Sequence, residues 1–75
     1  MQIPAFASVE DIARLVREER HRQGMNQQTL ALVANVAVRS VHRIEHAEQT
    51  VRLDTLLKVL AALGLELTVR RRGQR

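Results

Sequence analysis

The 75-residue sequence predicts a small all-α fold of four to five helices with one short C-terminal β-strand. Three observations carry that expectation. Apolar residues recur at helical spacing in separated segments, punctuated by Gly24, Asn35, a polar loop at 47–52 and Gly64. Phe6 is the only aromatic residue, so a core must come from Leu, Val, Ile and Ala, which suits packed helices. The pattern changes to strict alternation only in Leu65-Glu66-Leu67-Thr68-Val69-Arg70, the signature of a strand.

Residues 1–7 contain Pro4 and show no period, so they are expected to form an N-terminal arm. Ser8-Val9-Glu10-Asp11 has the form of a capping box and opens a helix that runs to about Gln23. Ile12, Leu15 and Val16 are expected on one inward face, with Glu19 at its edge, and Gly24 stops the helix. Asn26 is an N-cap for a second helix from Gln27 to about Val33, whose apolar stripe is Leu30, Ala31 and Ala34. Asn35 holds the following turn, where asparagine tolerates the left-handed conformation. A third helix is expected from about Val38 to His46, with Val41 and Ile44 inward. Ala37 stands where a capping hydroxyl belongs, which costs about 1 kcal/mol.

Asp54 is expected to cap a fourth helix, along which Leu56, Leu57, Val59, Leu60 and Leu63 repeat at helical spacing. The strand after Gly64 has no partner in the chain other than the N-terminal arm, which points to pairing with its own copy across a homodimer. The chain thus divides into an arm at 1–7, one domain at 8–69 and a basic tail at 70–75.

Composition narrows the function. There is no cysteine, which excludes disulfides, thiolate zinc sites and cysteine nucleophiles. No nucleophile and base converge with a third group, so an enzyme is not expected, nor a cofactor. His42 and His46 lie four apart, the spacing of two metal ligands, but no third ligand accompanies them and no metal site is expected. The near-absence of aromatics argues against single-strand binding, which needs rings for bases to stack on. No apolar stretch approaches the ~18 residues of a membrane span, and no signal peptide is visible, so a soluble cytoplasmic protein is the expectation.

The net charge of +4 equals the four tail arginines, Arg70, Arg71, Arg72 and Arg75; residues 1–69 balance at eight basic against eight acidic. The informative charge is therefore local. Arg39, His42, Arg43, His46 and Arg52 gather around the third helix, while Glu10, Asp11, Glu18 and Glu19 crowd the first. Two short helices joined by a tight turn, the second carrying arginines opposite its apolar face, make the layout that places a helix in the DNA major groove. Arg39 and Arg43 share one face, and arginine suits bidentate contact with guanine or charge contact with phosphate.

These residues also carry a family resemblance. Gly24-x-Asn26-Gln27-x-x-Leu30-Ala31, then Val36, then Val41-x-Arg43-Ile44-Glu45, resembles the Xre/Cro-type helix-turn-helix of phage repressors, a lambda-repressor-like fold. The run Leu53 to Leu67 is similar to the HipB-like antitoxin subgroup. The resemblance implies a DNA-binding set of Gln27, Gln28, Ala37, Val38, Arg39, Ser40, His42 and Arg43, with Gln27 anchoring a phosphate. It implies an internal ion pair between Arg20 and Glu45, and a dimer interface using Leu57, Leu60, Leu65, Leu67 and Val69.

The implied function is a repressor on a palindromic double-stranded operator, the antitoxin of an autoregulated toxin-antitoxin operon with a HipA-like kinase as toxin. The alternative is an interaction adaptor or toxin neutraliser with little DNA binding of its own. Ala37, Asn35 and Ala47 depart from the family, standing in place of a Ser or Thr cap, the turn glycine and the glycine after the third helix. Val38 is apolar where Gln is common, which suits contact with a thymine methyl.

Overall fold

A computed structural model describes residues 8–48 and 50–71. The N-terminal arm at 1–7, including Pro4 and Phe6, lies outside the described residues, as do Gln49 and tail residues 72–75. Four helices follow in order: α1 (Val9–Arg22), α2 (Gln27–Ala34), α3 (Val38–Glu45) and α4 (Leu53–Ala62). Helix α3 is central, packing against α1, α2 and α4, and α2 also packs against α4.

Local chemistry sets the helix starts. The Ser8 hydroxyl accepts from the Asp11 N–H at 3.1 Å while the Ser8 N–H donates to the Asp11 carboxylate at 3.3 Å, closing a reciprocal box at the start of α1. The Asn26 side chain accepts from the Thr29 N–H at 2.7 Å and caps α2. Ala37 precedes α3 in an extended conformation with no side-chain cap.

All four helices end in one motif. A residue just past the helix adopts positive φ, and two backbone bonds fold the chain back over the last turn. For α1, the Gly24 N–H donates to the His21 carbonyl and the Met25 N–H to the Arg20 carbonyl. For α4, Gly64 and Leu65 bond to Ala61 and Leu60 in the same way. Asn35 (φ 59°) and Ala47 (φ 57°) take the glycine's place after α2 and α3. At Ala47 the chain keeps the path a glycine would give it: its N–H donates to Ile44 O and the Glu48 N–H to Arg43 O, both at 3.1 Å.

The core is one cluster of Val16, Leu30, Ala31, Ala34, Val41, Ile44, Val59, Leu60 and Leu63, with Ile12, Met25, Val36, Val51, Leu56, Ala62 and Leu65 packed on it. Two expectations need correction, at Leu15 and Asp54. The inward face of α1 is Ala13, Val16 and Arg20, and Leu15 is 46% exposed on its flank. Leu57 of α4, expected at a subunit surface, is 44% exposed, because α4 meets α2 and α3 along Val59, Leu60 and Leu63. Asp54 is not the cap of α4. The helix begins two residues earlier, at Leu53 with Arg52 in the cap position, so Asp54 lies in its first turn, where it pairs with Arg52 and accepts the Thr55 N–H.

The expected strand over Leu65 to Arg70 is also absent: among the described residues no strand forms. A strand exists only when its edge is paired, and the described residues offer 65–71 no partner edge.

Ala47 carries a left-handed conformation that L side chains adopt at a cost of roughly 1–2 kcal/mol. Glycine removes that strain but adds unfolded-chain entropy, which offsets part of the gain. Ala47→Gly is expected to stabilise the domain by about 0.5–1 kcal/mol and raise Tm by several degrees. Thermal unfolding followed by circular dichroism checks this.

Candidate nucleic-acid interface

The interface is defined by which way α3 is rotated. Val41 and Ile44 point into the core, and Glu45 joins them at 2% exposure. On a helix, burial of 41, 44 and 45 leaves Arg39, His42, Arg43 and His46 on the opposite, exposed face. Val38 (44% exposed) and half-buried Ser40 flank that stripe, and exposed Ala37 precedes it. On α2, Gln28 is exposed in the first turn and Gln27 is half-buried.

Glu45 is locked by residues of α1 and α2. The Arg20 guanidinium of α1 grips its carboxylate through Nε (2.6 Å) and Nη2 (2.9 Å), with Arg20 itself 8% exposed. The remaining Arg20 Nη1 donates to the Met25 carbonyl at 2.9 Å, in the turn before α2. The Gln27 amide Nε2 lies 3.1 Å from Glu45 Oε1 and donates to it, so the side chain expected to anchor a phosphate also braces this carboxylate. The Arg17 guanidinium donates to the Glu45 backbone carbonyl at the end of α3.

Burial pushes the Glu45 carboxyl up, but hydrogen bonds from Arg20 and Gln27 and the Arg20 charge outweigh it and hold the group below its ordinary value. The hydrogen bonds to Glu45 raise the Arg20 guanidinium in turn. No buried side-chain nitrogen or oxygen lacks a partner among the described residues.

The cations differ in availability. Arg39 has no carboxylate partner among the described residues, whereas Arg43 pairs with Glu48 (3.3 Å) and Arg52 pairs with Asp54 (3.1 Å). Three of the four carboxylates of α1 are also matched: Asp11 and Glu18 face Arg14, and Glu19 pairs with Arg22. The expected acidic side is therefore largely self-neutralised. His42 and His46 stack with ring centroids 3.9 Å apart, and His46 Nδ1 lies 2.8 Å from the His42 carbonyl oxygen. Among the described residues no cluster of three potential ligands would hold a metal, and no helix is long and apolar enough to cross a membrane.

Three supporting contacts were not foreseen from the sequence: Arg17 on the α3 terminus, Gln23 Nε2 donating to the Leu63 carbonyl at 2.9 Å, and Glu48 on Arg43. Only the last had a readable signal, since the two residues flanking a left-handed helix stop are brought together by it. Of the expected interface leucines, Leu60 is 6% exposed and spent on the chain's own core, and Leu65 packs half-buried on that core. Leu57, Leu67 (42%) and Val69 (89%) are exposed.

A bundle in which a capped helix, a left-handed turn and an exposed arginine-bearing helix pack as one unit is a helix-turn-helix domain. Comparison places the chain more closely: it belongs to the Xre-type helix-turn-helix family of DNA-binding regulators, whose pattern it matches over residues 16–69. It is 35% identical over 65 residues to y4mF of Sinorhizobium fredii, an uncharacterised HTH-type transcriptional regulator, covering 87% of this chain and 86% of that protein. Its fold is similar to that of a solved structure described as MDT Protein, at a TM-score of 0.80 and 22% identity, over 96% of this chain and 99% of that one.

The ion pair generates a pH prediction. A carboxylate whose folded pKa is depressed contributes stability above its unfolded value, about 4.3, and that stability is lost as pH falls through the folded value. Urea unfolding is expected to show Glu45→Ala destabilised by about 3–5 kcal/mol at pH 7, because Arg20 is left buried without its counter-charge. The gap between wild type and variant is expected to narrow below about pH 4.3.

Proposed function

We propose that this chain is a transcriptional repressor that reads a palindromic double-stranded operator with α3 as the recognition helix. The observation that carries the reading is the exposed stripe of Arg39, His42 and Arg43 directly opposite the buried Val41, Ile44 and Glu45. Family membership and the regulator relative support it. In such units the first residues of the recognition helix meet base edges. Arg39 and Val38, in the first turn of α3, are therefore assigned to bases, with Val38 suited to a thymine methyl. Arg43 in the last turn, and Gln27, Gln28, Ala37 and Ser40 around the turn, are assigned to the phosphate backbone and groove edge, with His42 between.

The proposal includes a homodimer with half-sites about 34–36 Å apart, one helical turn of DNA. Exposed Leu57, Leu67 and Val69, and the alternating pattern at 65–70, support a second copy on this side, where strand pairing would supply the missing edge. The resemblance of Leu53 to Leu67 to HipB-like proteins supports the finer reading of an autoregulating antitoxin with a kinase-like toxin as partner. Co-purification with the product of a neighbouring gene tests that partner.

The DNA reading is tested with duplex from the chain's own promoter against random duplex. Arg39→Ala is expected to weaken promoter binding by about 1–3 kcal/mol and to relax preference at one base position. Arg43→Ala is expected to weaken both duplexes alike, as loss of a phosphate contact does. If neither variant changes binding, α3 is not the reading helix and the adaptor reading takes its place.

A further inference from the structure

Arg43 sits in the last turn of α3, and Glu48 lies just beyond the helix end. Backbone geometry brings them together. The left-handed turn at Ala47 folds the chain back, and the Glu48 N–H donates to the Arg43 carbonyl at 3.1 Å. Glu48 Oε1 then lies 3.3 Å from Arg43 Nε, with the side chains 43% and 46% exposed. A solvent-accessible guanidinium assigned to DNA thus holds a resident anion, while Arg39, on the same stripe, holds none among the described residues.

We propose that Glu48 is an intramolecular competitor for the phosphate site of Arg43, and that it sets DNA affinity below what the cations of α3 alone would give. The proposal rests on α3 being the DNA-contacting helix. A phosphate that takes Arg43 must displace the Glu48 carboxylate, which then stands beside a polyanion. Counterions follow the same exchange. Neutralising a phosphate releases a cation from DNA, but the freed carboxylate takes one up, so Arg43 adds little to the salt dependence while Glu48 is present.

The test uses the full chain with Glu48→Gln, near-isosteric and uncharged, against promoter and random duplexes from about 50 to 200 mM salt. Asp54→Asn is the control, since it removes the same unit of charge from the exposed Arg52–Asp54 pair outside α3. Thermal unfolding establishes that each variant folds. Glu48→Gln is expected to tighten binding to both duplexes by about two- to fivefold at low salt, the scale of an exposed ion pair. It is also expected to steepen the slope of log affinity against log salt by about 0.9. Asp54→Asn is expected to do much less, and the gain is expected to vanish in an Arg43→Ala background.

An equal gain from both single variants would overturn the proposal, because net charge alone would explain it. Weaker promoter binding by Glu48→Gln would overturn it too, making Glu48 a residue that positions Arg43. A wild-type chain that binds neither duplex would overturn the DNA reading beneath it, and does so before any variant is made.

Discussion

The buried bond between Arg20 and Glu45 is the constraint on which the functional surface depends. Its carboxylate is reached from α1 by Arg20 and from α2 by Gln27, and Arg20 also holds the intervening turn at the Met25 carbonyl. A buried ion pair is weak evidence of net stability, since well-packed apolar residues often do as well. Its effect here is directional. Apolar contacts tolerate some rotation of a helix, but a carboxylate inside the core must meet its donors. With Glu45 pinned beside Val41 and Ile44, α3 has one orientation about its axis, and Arg39 and Arg43 face outward as a consequence. Geometry at a binding surface is thus set by a contact on the far side of the same helix.

Helix termination is the second organising device. Helices α2 and α3 are eight residues each, too short to persist alone, so their ends must be stopped sharply for the bundle to close. One backbone motif serves all four helices, with Gly, Asn, Ala and Gly in the left-handed position. After α2 it shapes the turn that leads into α3. After α3 it returns Glu48 onto Arg43, so a folding device also shapes the charge of the exposed face.

What was legible in the sequence was local. Ser8, Asn26, Gly24, Asn35 and Gly64 mark helix ends through bonds to near neighbours, and the observed helices follow those marks closely. Side-chain direction was less legible, because it depends on what packs alongside. Leu15 fits the helical period yet lies on a flank no neighbour covers, while Leu60, expected with Leu57 at a subunit surface, fills the core. The alternating pattern at 65–70 describes a preference that only a partner edge can satisfy, and the described residues hold none. Charges could be counted but not paired: Arg39, Arg43 and Arg52 look equivalent in the sequence, and only Arg39 lacks a carboxylate partner among the described residues. The Arg20–Glu45 link came from the family pattern, since 25 residues separate the two and no local rule joins them.

The most direct test of the central claim is residue-resolved. Backbone amide resonances would be followed as duplex from the chain's own promoter is added to the folded protein. The account predicts the largest shifts at the start of α2, at Gln27 and Gln28, and along residues 37–43, with α1 little moved. Shifts concentrated on α1 or on the exposed side of α4, with α3 silent, would contradict it.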